Sequence, residues 1–197
     1  MLNNILENYP WPNECPRRDY SMHGWVSWEV KFGLSQLIRG FNAPLILEVG
    51  TWCGMSAEFM LQQNENASLI TVDTFEGSKE HSENAKWRQI LDSGLYEQAV
   101  RNLWLFKDRL AILKMTSIEG MLTVEAYGVK PDIVYIDASH KYQDVKQDIE
   151  TALDCFPGSV ICGDDYEWRD VQLAVNQVVG QKAFKFVVDK AFWRIER

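Results

Sequence analysis

The sequence predicts an α/β protein: one mostly parallel seven-stranded sheet, helices on both faces, and an antiparallel hairpin at its C-terminal edge. Three observations carry that prediction. Five short apolar runs recur along the chain, and four of them stop at a glycine or an aspartate. Stretches with helical spacing separate these runs, which implies parallel strands joined by right-handed crossovers. The last residues break the alternation, because two strand-like runs flank Asp189-Lys190 in the manner of a tight hairpin.

Taken in order, the first 26 residues read as an irregular segment and a candidate lid, since Pro10, Pro12 and Pro16 interrupt regular structure. Residues 27–197 read as a single domain. From Ser27 the apolar positions Trp28, Phe32, Leu34, Leu37 and Ile38 fall at roughly helical spacing and end near Gly40. Leu45 to Val49 is a buried strand between Pro44 and Gly50, and Met55 to Gln62 is a helix. The second strand is Leu69 to Val72, stopped by Asp73; helical patterning then covers 83–104. Leu110 to Leu113 and Ile133 to Ile136 are the third and fourth strands, the latter ending at Asp137. Val145, Ile149, Ala152, Leu153 and Phe156 follow an i, i+4, i+7, i+8 pattern that closes at Pro157-Gly158. Val160 to Cys162 is the fifth strand, followed by a helix through Val171, Val175 and Val178. Phe184 to Val188 and Phe192 to Ile195 form the hairpin.

The composition is that of a globular chain: 197 residues, 46% hydrophobic and 24% charged, so global disorder is excluded. A net charge of −8 repels phosphate backbones and anionic lipid, so neither nucleic acid nor a membrane is an expected partner. No apolar run approaches the ~20 residues of a membrane-spanning helix. Cys15, Cys53, Cys155 and Cys162 form no C-x-x-C pair, which fits small buried hydrophobes in a reducing compartment. The first residues carry Asn, Glu and Pro where a secretory leader needs a basic start and an apolar core. A cytoplasmic location is therefore the expectation.

In an open parallel sheet, ligands bind beyond the C-terminal ends of the strands. That nominates Gly50, Asp73, the Met115-Thr116-Ser117 turn, Asp137 and Gly163-Asp164-Asp165. The first strand ends in a glycine turn opening a helix, whose free N–H groups suit an anionic ligand group. The second ends in an acid 23 residues after Gly50, a distance that suits a carboxylate binding two ribose hydroxyls. Together they point to an adenosine-containing cofactor. The turn reads G-T-W-C-G, and Trp52 stands where a dinucleotide fingerprint needs a glycine beside the pyrophosphate, which speaks against NAD or FAD.

The run E-V-G-T-W-C-G-M-S-A (48–57) resembles motif I of class I S-adenosylmethionine-dependent methyltransferases. The order of elements over about residues 27–197 is similar to that Rossmann-like fold. I-D-A-S-H-K-Y (136–142) and P-G-S-V-I-C-G-D-D-Y (157–166) resemble the next two motifs of the metal-dependent O-methyltransferases, of the catechol, caffeoyl-CoA and sugar-hydroxyl types. The resemblance implies that Glu48, Gly50, Thr51, Trp52 and Ser56 hold the methionine part of the cofactor. It implies Asp73 on the ribose, Ser117 beside the adenine, and Asp137 touching both cofactor and metal. Asp137, Asp164 and Asp165 match the three positions that bind a divalent cation, where the family often has Asn in the third; oxygen donors of this kind suit Mg²⁺. His140 stands where catechol-type enzymes carry a lysine base. It or the adjacent Lys141 is then the group that takes the substrate proton.

Each residue also has a quieter reading. Asp164-Asp165 can cap the following helix, His140 can be an exposed turn residue, and Asp73 can simply end its strand. Ser117 and Trp52 can be packing and turn residues. The segment 74–109 is longer than a crossover needs and is a candidate lid or homodimer contact. The leading expectation is a metal-assisted O-methyltransferase acting on a small catechol-like or sugar-like molecule. The alternatives are a metal-independent methyltransferase of the same fold, a nicotinamide-dependent oxidoreductase, and a noncatalytic cofactor-binding protein.

Overall fold

The computed structural model describes residues 2–18, 24–182 and 184–196, and its elements follow the predicted alternation. Five parallel strands come first: β1 (Leu45–Val49), β2 (Ser68–Asp73), β3 (Leu110–Lys114), β4 (Ile133–Ile136) and β5 (Val160–Gly163). The hairpin β6 (Lys185–Asp189) and β7 (Phe192–Glu196) completes a seven-stranded sheet in the order β3-β2-β1-β4-β5-β7-β6. β7 runs antiparallel to both β5 and β6. The strand order reverses between β1 and β4, which are adjacent and parallel, so the crevice of the fold opens above that pair.

The helices divide between the faces. α2 (Trp28–Arg39), α3 (Met55–Gln63) and the C-terminal half of α5 (Ala85–Leu103) cover one face. α6 (Ser117–Ala126), α7 (Tyr142–Cys155) and α8 (Arg169–Lys182) cover the other. β1, β2 and β4 are buried almost throughout, because each is packed from both sides. Ser27 caps α2, its side chain accepting from the Val30 amide, and Glu29 in the first turn suits the helix dipole.

α6 carries a start signal that the apolar pattern alone does not show. Thr116 and Glu119 form a reciprocal capping box, and Gly120 lies so close to β2 that a Cβ there would sit 2.3 Å from Val72 Cγ1. The first turn of α6 is therefore seated directly on the end of β2. Between β2 and β3, the short α4 (Lys79–Glu83) precedes α5, which is kinked at Gly94 (φ 98°). Leu95, Ala99, Val100 and Leu103 are buried, so the later part of the 74–109 segment belongs to the core.

The N-terminal segment differs from its reading as irregular. Residues Leu2–Asn8 form α1, because all three prolines lie beyond it. Ile5 is fully buried, Tyr9 meets Tyr127 edge-on at 6.4 Å, and Trp11 Nε1 donates to the Leu110 carbonyl at 2.7 Å. These contacts sit at the start of β3, at the end of the sheet opposite the crevice. They make residues 2–11 part of the packed domain; residues 19–23 of the candidate lid lie outside the described residues. We expect Ile5→Ala to cost about 3 kcal/mol in urea denaturation. A segment that merely hangs over the domain would change stability by less than about 0.5 kcal/mol.

Candidate active site

Gly50 is the first fixed point of the site. Its φ is 97°, its N–H donates to the Val72 carbonyl at 2.9 Å, and a Cβ would lie 2.0 Å from the Asp137 carbonyl oxygen. No other residue fits between the ends of β1 and β4.

Asp73 closes the turn that follows. Its Oδ2 accepts from the amides of Thr51 (2.8 Å) and Trp52 (2.9 Å), and its Oδ1 accepts from Phe75 N (2.7 Å). Three of its roughly four acceptor positions are thus taken by backbone, leaving about one. The carboxylate does more than end a strand: it clamps the β1–α3 turn to β2. Trp52 takes the left-handed conformation (φ 48°), and its indole stacks on His81 at 4.0 Å. α3 then follows Gly54, an N-cap with no side chain to accept from the first amides of that helix.

Beneath the turn lies a buried polar chain. Ser56 Oγ donates to Glu48 Oε1 at 2.5 Å, Thr71 donates to Glu48 Oε2, and the Thr51 hydroxyl bonds that of Thr71. Glu48 is fully buried and both its oxygens are engaged internally. Burial pushes its carboxyl up to about 7, against the opposing effect of the two hydroxyls.

On the other side of Gly50, β4 and β5 bring an acidic cluster together. Asp137 is half-buried, with Tyr135 Oη donating to its Oδ2 at 3.1 Å. Desolvation, then the charges of Asp164 and Asp165, hold its carboxyl well above the ordinary range. Asp165 adopts φ 60°, and its Oδ2 lies 2.8 Å from His140 Nε2. His140 in turn stacks on Trp168 at 4.5 Å, so it is not a free turn residue. Ligand atoms of Asp137, His140 and Asp165 all lie within 4.8 Å of one another.

The reading from sequence grouped Asp137, Asp164 and Asp165. The structure brings His140 into that group and buries Asp164 beneath it, with Asp164 Oδ1 accepting from the Asp165 amide at 2.6 Å. Burial and the neighbouring Asp165 raise the Asp164 carboxyl to about 7. Neither acid caps α8, which starts only at Arg169. Lys141 is the exposed N-cap residue of α7 and does not line the cleft that Asp137, Ser139, His140, Asp164 and Asp165 enclose. Ser117, the first residue of α6, donates to Asp148 Oδ1 at 2.5 Å. The contact of Ser117 with Asp148 was not legible in the sequence, because the position of Asp148 on the α7 pattern carries no motif.

A folded-state carboxyl raised to about 7 keeps its proton where the unfolded one has lost it. Stability from Glu48 therefore falls as pH rises from about 4.5 through about 7, by on the order of 2–3 kcal/mol. Urea denaturation at pH 5 and pH 8 should show that difference shrinking by this amount in Glu48→Gln. An unchanged difference would mean that Glu48 titrates like an ordinary surface acid.

A family model described as a methyltransferase domain matches residues 47–166, from β1 through the Asp164-Asp165 turn. No curated protein matches the chain. Among solved structures, the O-methyltransferase TomG of Streptomyces achromogenes, in complex with S-adenosylmethionine, aligns with TM-score 0.63 and 16% identity over 98% of this chain and 85% of its own. An O-methyltransferase of Bacillus cereus in complex with S-adenosylhomocysteine aligns with TM-score 0.57 and 19% identity, covering 100% and 90%. CalS11, a TDP-rhamnose 3′-O-methyltransferase, aligns with TM-score 0.57 and 16% identity, covering 99% and 90%. At these identities the structural likeness speaks for the fold, whereas the matched domain takes in both the Gly50 turn and the acidic cluster. The chain belongs to this methyltransferase-domain family.

Proposed function

We propose that this protein is an S-adenosylmethionine-dependent O-methyltransferase that uses a divalent cation and acts on a small molecule with vicinal hydroxyls, catechol-like or sugar-like. The observation that carries the reading is the position of the acidic cluster. Asp137, whose carbonyl abuts Gly50, converges with His140 and Asp165 at the switch point of the sheet.

The residues fit both groups. The uncapped start of α3 suits a carboxylate, and the acceptor position left on Asp73 suits a ribose hydroxyl. Three neighbouring carboxyls, two of them raised by burial and then by one another's charge, suit a hard cation. Asp137, Asp164 and Asp165 would supply its oxygen donors. When bound, such an ion lowers the pKa of a coordinated hydroxyl, and the sulfonium cofactor provides an electrophilic methyl group.

The chain's own part is alignment and proton handling. Asp137 and Gly50 meet at the crevice, so a hydroxyl held at the cluster lies beside a cofactor held by the turn. His140 is the base of this reading: the Asp165 carboxylate accepts from its Nε2 and Trp168 fixes the ring plane, so the imidazole is held in place to take the hydroxyl proton. A sulfonium cofactor held by the Gly50 turn and Asp73 would supply the methyl group to the substrate oxygen, sulfur keeping the electron pair of the broken S–C bond.

Calorimetric titration with S-adenosylmethionine, in EDTA and then in Mg²⁺, tests the first half of this reading. Saturable 1:1 binding is expected, and no binding in either buffer sinks it. Methyl transfer to a panel of catechols and vicinal-diol sugars tests the rest: turnover should vanish in EDTA, and full activity there overturns the cation's role. His140→Ala should lower kcat by about 100-fold with cofactor affinity unchanged, while Lys141→Ala stays within about twofold.

A further inference from the structure

The sheet ends in two unlike edges. At β3 the edge is covered: α1 packs against the strand, and Trp11 Nε1 donates to the Leu110 carbonyl. At β6 no described element lies beyond the strand, and four of its five residues are exposed. An open edge is a template for another chain, and proteins ordinarily block it with a bulge, a proline or a covering element. β6 reads K-F-V-V-D and pairs with β7 without interruption, so it carries no such block.

The hairpin fixes which backbone groups face out. Its turn has two residues, Lys190 and Ala191, so Asp189 and Phe192 exchange both backbone hydrogen bonds, and by alternation so do Val187 and Arg194. The Ala191 carbonyl agrees with this alternation, since it accepts from the Tyr166 amide on the β5 side. The N–H and C=O groups of Phe186 and Val188 therefore point away from β7, to the open edge.

A second β6 laid antiparallel on that edge must keep the alternation, so the twofold axis can pass only through Phe186, Val187 or Val188. Centred on Val187, Phe186 and Val188 of each strand exchange backbone bonds with Val188 and Phe186 of the other. Lys185 then stands opposite Asp189 twice, once on each side of the axis. The other two centres oppose no unlike charges within the strand. The same register covers Val187 and Val188, which are 42% and 37% exposed. Such an axis stands perpendicular to the sheet, so α2 and its copy lie on the same face. On α2, Glu29 and Gly33 meet the hairpin at Lys190 and Phe192, and Val30 and Leu34 are buried on one flank of that stripe. Trp28 and Phe32 lie on its other flank, 75% and 48% exposed, with their rings 6.3 Å apart. They add an apolar surface beside the strand.

We propose that β6 pairs antiparallel with β6 of a second copy of this chain, about a twofold axis at Val187, joining two sheets into one homodimer. The matched charges of Lys185 and Asp189 select this occupant, because a strand of the same sequence complements itself in this register. β5 and β7 lie between β4 and β6, so the crevice stays open in both copies.

Sedimentation velocity of the full chain in low salt, from about 1 to about 100 μM, tests the pairing. A species of twice the chain mass is expected, and the single chain throughout that range overturns the proposal. Lys185→Asp and Asp189→Lys each set like charges opposite one another twice per dimer, so each should weaken dimerisation by about 10- to 100-fold. Both substitutions together restore unlike pairs and should return the dissociation constant to within about threefold of the wild-type value. That rescue separates the register from general damage, because two substitutions that merely harmed the surface would add. A dimer indifferent to the single reversals, or a double variant as weak as the single ones, overturns the β6 pairing.

Discussion

The close approach of Gly50 to Asp137 is the constraint on which the site depends. β1 and β4 pair in parallel register, with Val49 opposite Ile136, so the residues after each strand must leave the sheet side by side. A single Cβ at position 50 would collide with the Asp137 carbonyl, its carbon and Ala138 Cα. With glycine there, the Gly50 turn and the acidic cluster become two walls of one crevice. Everything proposed about chemistry uses that adjacency.

Carboxylates dominate the crevice, and their surroundings give them different properties. Asp73 is held by three backbone amides and acts as a clamp. Glu48 is satisfied by hydroxyls from α3 and β2, so it supports the turn from below. Asp137, Asp164 and Asp165 have fewer donors, and burial together with one another's charge raises the first two above the ordinary carboxylate range. Asp148 sits apart, facing a single serine.

The β5–α8 turn is held rigidly enough to position its acids. Trp193 Nε1 donates to the Asp164 carbonyl at 2.9 Å, and the Tyr166 amide donates to Ala191 at 2.9 Å. The terminal hairpin thus fastens the loop that carries Asp164 and Asp165, and a Lys190–Glu29 ion pair ties the same hairpin to α2. Gly163 is needed for this closeness, since a Cβ there would meet the Trp193 ring at 2.4 Å. The left-handed Asp165 bends the chain back so that its carboxylate meets His140.

Local pattern was enough to determine the strands, the hairpin and most of the helices, because apolar runs of period and length suited to a buried strand have few other uses. It also determined the Gly50 turn and the acids after β2, β4 and β5, since strand ends are where a parallel sheet leaves polar groups exposed. The α1 helix and the capped α6 were harder to see: prolines downstream masked the first, and Gly120 with β-branched residues blurred the second. Tertiary structure alone decided which side chains converge. The pairing of His140 with Asp165, the turning of Asp164 onto backbone, and the meeting of Ser117 with Asp148 depend on rotamers, a left-handed residue and helix packing. Those are set by contacts between residues up to 31 positions apart, a distance at which no local pattern speaks.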